Sequence, residues 1–103
     1  MIQKTNMKKI EQIILKLKKN KPILEKKYSV KNLEVFGSYV HGEQKKSSDL
    51  DVLVEFSKTI DLFKYIELEN YLSDKLGVKV DLVMKDTLKP RIKDRILNEA
   101  IPV

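Results

Sequence analysis

The sequence is 103 residues long and 42% hydrophobic, contains no cysteine, and carries 21 basic against 15 acidic side chains for a net charge of +6. That length suits one domain around one core, and the missing cysteines exclude disulfides, a thiol nucleophile and a cysteine zinc site. No apolar run approaches the roughly 18 residues of a membrane span, and residues 10–17, broken by Glu11, Gln12 and Lys16, are wrong for a signal peptide.

A cytoplasmic protein with no membrane partner is therefore expected. The charge is uneven: residues 1–31 hold ten lysines against Glu11 and Glu25, whereas the remainder is slightly acidic. A basic segment of this kind can attract nucleic acid, but the lysines read more simply as the solvated side of a helix.

In chain order, Ile10, Ile13, Ile14 and Leu17 recur at helical spacing and predict a one-sided helix. Asn20 is placed to cap a second short helix with Pro22 in its first turn, carrying Ile23, Leu24 and Tyr28. Strands are expected at 32–36, 50–56 and 78–84. A long helix over 61–76 would bury Leu62, Tyr65, Ile66, Leu72 and Leu76 and stop at Gly77. Thr87 is expected to cap a last helix with Pro90 in its first turn and Ile92, Ile96 and Leu97 on its apolar side. Residues 101–103 add an edge strand or trail off. The fold class is α+β, with a small mixed sheet flanked by helices, and residues 1–103 read as a single domain: a basic helical lead-in over 1–31 and a core over 32–103.

The chemistry-bearing stretch is Gly37-Ser38, followed by Ser48-Asp49-Leu50-Asp51-Val52. Strand side chains alternate, so Asp49 and Asp51 project from the same side. Two carboxylates side by side repel, and a hard cation such as Mg²⁺ relieves that repulsion. Asp81 is a lone charge within the apolar run of the third strand. If the second and third strands are neighbours, it meets Asp49 and Asp51, and such a cluster can hold two metals about 3.5–4 Å apart. Gly37 at a strand end lets the backbone approach a ligand closely, and a helix starting there would offer amides to phosphate. Ser38 adds a hydroxyl, while His41, Lys45 and Lys46 on the connection can add positive charge. Each piece alone has an ordinary reading as a turn, a cap or an edge residue; their combination is far more specific.

Gly-Ser, ten residues, Asp-x-Asp flanked by Leu50 and Val52, and a later lone aspartate together resemble the nucleotidyltransferase superfamily of DNA polymerase beta. The small size is similar to its minimal nucleotidyltransferase (MNT) branch, as are Lys89-Pro90-Arg91 and residues 96–100. The resemblance implies that Gly37 and Ser38 hold the β- and γ-phosphates of ATP. It also implies that Asp49 and Asp51 ligate two Mg²⁺ ions, and that Asp81 completes the catalytic metal site and helps deprotonate the acceptor. Many minimal members carry arginine where this chain has His41. Tyr39 reads as a packing residue rather than a base-stacking or acceptor one, and Arg91 and Arg95 as a solvated helix face.

The branch further implies a HEPN-type toxin as partner, with this chain as an antitoxin that adenylylates a tyrosine of the toxin. The alternative is a non-catalytic antitoxin that neutralises by complex formation. A lysine-rich nucleic-acid binder and a small-molecule nucleotidyltransferase rank below these.

Overall fold

Leu33 and Val35, Leu50, Val52 and Val54, and Val80 and Leu82 are the inward members of three alternating runs. In the computed structural model, which describes residues 8–103, they line one face of a four-stranded sheet. The first seven residues of the basic lead-in lie outside the described residues. The strands are β1 (Val30–Phe36), β2 (Leu50–Phe56), β3 (Val80–Met84) and β4 (Ile101–Pro102). They lie in the order β3-β2-β1-β4, with β2 and β3 parallel and the other pairs antiparallel. The parallel pair requires a crossover, which helix α3 (Leu62–Leu76) supplies.

Helix α1 (Lys9–Tyr28) is continuous, where two helices were expected. Pro22 sits inside it on the exposed side, and the stripe Ile13, Leu17, Leu24 and Tyr28 stays buried along the helix. Burying that stripe outweighs the local loss at proline, because tertiary packing supplies most helix stability. Asn20 caps nothing: its amide donates to the Lys16 carbonyl, and its oxygen accepts from the Tyr71 hydroxyl of α3, both at 2.8 Å. The first strand begins at Val30, two residues earlier than expected, and the third begins at Val80 rather than 78.

Asp61 caps α3 by accepting from the Lys64 amide, and Gly77 terminates it in the left-handed region at φ 70°. The buried stripe of α3 is Leu68, Leu72 and Leu76, while Leu62 and Ile66 face solvent, contrary to expectation. Side chains of α3 also close the outer edge of β3. Ser73 Oγ accepts from the Val80 amide at 3.0 Å, and Glu69 accepts from the Leu82 amide at 2.9 Å. The Tyr65 hydroxyl donates to the Leu82 carbonyl. Edge groups that would otherwise template pairing with another chain are thus occupied.

After β3, a single 3-10 turn (Lys85–Thr87) leads to α4 (Pro90–Glu99). Lys89, not Thr87, is its N-cap, and the Thr87 hydroxyl donates instead to the Met84 carbonyl. The stripe of α4 is only partly covered, with Ile92 exposed and Ile96 and Leu97 half-buried. The chain end is an edge strand: Ile101 pairs with Val35 and Pro102 with Glu34.

Candidate functional site

The face of the sheet opposite the helix-packed core carries the polar residues. Register places Phe36, Asp51 and Asp81 in one row across β1, β2 and β3, and Glu34, Leu53 and Val83 in the next. Asp51 and Asp81 are therefore direct neighbours on parallel strands. Leu53, in the next row, is buried. Asp49 stands two residues before Asp51, just ahead of β2, and shares its side by strand alternation.

Asp51 is partly buried, and its carboxyl is pushed up to about 6. Burial is the largest cause, followed by the charges of Asp81 and Asp49 and by a hydrogen bond with Asp81. The three aspartates singled out from the sequence thus interact electrostatically at one place, with Asp51 at its centre.

Gly37 closes the site from the β1 side. Its φ is +84°, and a Cβ there would fall 2.1 Å from Asp51 Oδ2. Both the backbone conformation and this approach require glycine. Ser38 opens the four-residue helix α2 (Ser38–His41), for which Gly37 is the N-cap. Tyr39 is buried in the core and donates to the Ser48 carbonyl at 3.5 Å. Ser48 also exchanges two bonds with Lys45, accepting at Oγ from the Lys45 amide at 2.8 Å and donating its own amide to the Lys45 carbonyl at 3.0 Å. This closed turn fixes the approach to Asp49.

His41 Nε2 lies 3.1 Å from Glu99, so this side chain ties α2 to the end of α4. Lys45 and Lys46 are exposed on the α2–β2 connection. Arg91 and Arg95 are exposed on α4.

Two residues near the site escaped sequence reasoning. Lys85 pairs with Glu34 at 3.5 Å, and the pair is mostly buried. It ties the turn after β3 to β1; its signal was a lysine directly following the strand of Asp81. The Tyr65 hydroxyl feels the charges of Glu69 and Asp81, which, after burial, hold it above the usual tyrosine range. Its position was read as apolar packing, and the hydroxyl's reach to the strand edge depends on the crossover geometry.

Among the described residues, no three His, Asp or Glu side chains form a ready-made cage for a metal ion. Mg²⁺ in phosphoryl-transfer sites usually takes one or two carboxylates and fills its remaining positions with water and substrate phosphates. The adjacent Asp51 and Asp81, where burial and then the charge of Asp81 raise the Asp51 carboxyl, fit a hard dication on that pattern.

The Nucleotidyltransferase domain family matches residues 17–103. A candidate protein adenylyltransferase of Methanocaldococcus jannaschii is 52% identical over 98 residues, spanning 94% of this chain and all of that one. The protein adenylyltransferase MntA of Thermococcus cleftensis is 45% identical over 97 residues, spanning 94% of this chain and 95% of that one. Among solved structures, a candidate minimal nucleotidyltransferase is 32% identical with a TM-score of 0.76, over 97% of this chain and all of that one. A toxin–antitoxin structure with AMP-PNP is 27% identical with a TM-score of 0.64, over 89% of this chain and 69% of the matched one. On this shared sequence and fold, the chain belongs to the nucleotidyltransferase family, among its minimal members.

Proposed function

We propose that the chain is a protein adenylyltransferase that moves AMP from ATP onto a tyrosine hydroxyl of a HEPN-type toxin and thereby acts as its antitoxin. The observation that carries this reading is the in-register pair Asp51 and Asp81, with Asp49 close enough to raise Asp51 and Gly37 pressed against its carboxylate. The names of the relatives and the AMP-PNP in the matched toxin–antitoxin structure support the nucleotide and the setting.

In the proposed reaction the acceptor oxygen attacks the α-phosphorus, the bond to the bridging oxygen of the β-phosphate breaks, and pyrophosphate leaves. Mg²⁺ held by Asp51 and Asp81, with Asp49 beside them, would supply charge neutralisation at the attacking and leaving oxygens. Gly37 lets the triphosphate approach the backbone, and the Ser38 hydroxyl donates to its β- or γ-phosphate. Asp81, at the edge of the row and exposed, takes the proton of the acceptor hydroxyl. Lys45 and Lys46, on an exposed loop, add attraction for the triphosphate that salt screens. His41 is committed to Glu99 and contributes less.

Catalytic and non-catalytic neutralisation are separated by Asp49→Asn. Co-expressed with the toxin, this variant should fail to restore growth while still forming the complex. Full neutralisation by Asp49→Asn would instead mean that the chain acts by covering its partner.

A further inference from the structure

Helix α3 exposes more apolar surface at its start than folding requires. Leu62 is 69% exposed and Phe63 84%, with Ile66 also open one turn on. Leu62 and Phe63 each adjoin Ile66 on the helix surface, and Asp61 already supplies the cap that starts the helix. Beside them, Ile60, Tyr65 and Met84 line an open depression of about 260 Å³. Single exposed apolar side chains are common, whereas a contiguous patch marks an interaction surface.

The patch has a basic margin. Lys26, Lys27, Lys58 and Lys64 line a second depression that shares Ile60 and Asp61 with the apolar one. Glu67 lies 3.4 Å from Lys27 and 4.0 Å from Lys64. Lys26 and Lys58 have no ion-pair partner among the described residues. An apolar centre whose rim carries four lysines against Asp61 and Glu67, an excess of positive charge, suits a protein partner that brings carboxylates. A second copy of this chain would bring the same lysines and be repelled. A polynucleotide would satisfy the lysines and leave Leu62 and Ile66 facing water.

The patch lies across the β3 edge from the carboxylates. Tyr65 lines the depression, and its hydroxyl sits on the Leu82 carbonyl, one residue from Asp81. Met84 follows Asp81 by three residues on β3, about 10 Å along the strand and, by alternation, on the opposite face of the sheet. Because β3 is the edge strand, a protein seated there reaches the row by wrapping around that edge past Tyr65.

We infer that the start of α3, with Ile60, Tyr65 and Met84, docks the acceptor protein of the transfer reaction. The acceptor inserts an apolar side chain against Leu62 and Phe63 and sets carboxylates on Lys26 and Lys58. This rests on the protein-acceptor reading above.

The test is calorimetric titration of the purified HEPN-type protein into wild type, the Leu62→Asp/Phe63→Asp double variant and Asp51→Asn, with labelling by α-labelled ATP in parallel. Both substituted α3 positions are solvent-exposed, so thermal melts should match the wild type; Phe63→Gln serves if they do not. The double variant should bind at least tenfold more weakly and be labelled correspondingly less at subsaturating partner, while Asp51→Asn binds normally. Lys26→Glu/Lys58→Glu should weaken binding and flatten its salt dependence. Wild-type affinity in the double variant would overturn the inference. So would a wild-type dimer that becomes monomeric in the double variant, or competition for the patch by an RNA oligonucleotide. Weakened binding without any label transfer by wild type would sink the catalytic proposal and leave the docking surface standing.

Discussion

Asp51 is the residue on which folding and chemistry oppose each other. Its carboxyl titrates at about 6 in the folded chain against 3.8 when free. The folded state therefore holds more protons than the unfolded one between these values, and stability falls as pH rises through them. A two-unit shift corresponds to about 3 kcal/mol at full effect, which solvent contact at this partly open site reduces to ~1 kcal/mol. Asp51→Asn should then melt a few degrees higher than wild type at pH 7.5 and nearly equally at pH 4. Mg²⁺ should raise the wild-type melting temperature more at pH 7.5 than at pH 5, because protonation competes with the metal, and should not raise that of the variant. A variant that melts lower at pH 7.5, or an equal Mg²⁺ response in both proteins, would remove Asp51 from the centre of the site.

At the scale of elements, α1 departs most from its local signals. Asn20 and Pro22 together suggest a helix boundary, but the buried stripe from Ile13 to Tyr28 carries the helix through. Proline in a helix interior removes the bond to the residue four back and crowds its carbonyl, at a cost of about 3 kcal/mol in a host helix. Pro22→Ala should therefore raise stability by ~1–3 kcal/mol, read as a higher urea midpoint with an unchanged slope. A lower midpoint would mean that the proline shapes the helix to fit the sheet. Helix α3 teaches the converse. Helical spacing assigned Leu62 and Ile66 to the buried face, yet Leu68 is buried and those two are not. Periodicity selects residues that can share a face; which face meets the sheet is decided by the crossover and by the side chains of Tyr65, Glu69 and Ser73 binding the β3 edge.

At the scale of the whole molecule, what was legible in the sequence was local. Strand β2 has its expected bounds, because a short apolar run broken only by Asp51 and Glu55 and bounded by polar residues leaves little choice. Gly37 was legible as a close approach, though not that the group approached is Asp51 itself. That Asp81 would stand beside Asp51 depended on β3 lying next to β2, and no spacing within one strand encodes neighbour order. The His41–Glu99 pair likewise joins positions 58 residues apart and had no local signal. These non-local pairings convert a set of weak motifs into one charged row, and nucleotidyl transfer at that row is the central claim. It is tested most directly by incubating the purified chain with α-labelled ATP, Mg²⁺ and the HEPN-type protein, beside the Asp49→Asn/Asp51→Asn variant. Label on the partner, dependent on Mg²⁺ and absent with the variant, is the predicted result. A tight complex that never carries label under any divalent cation would contradict it.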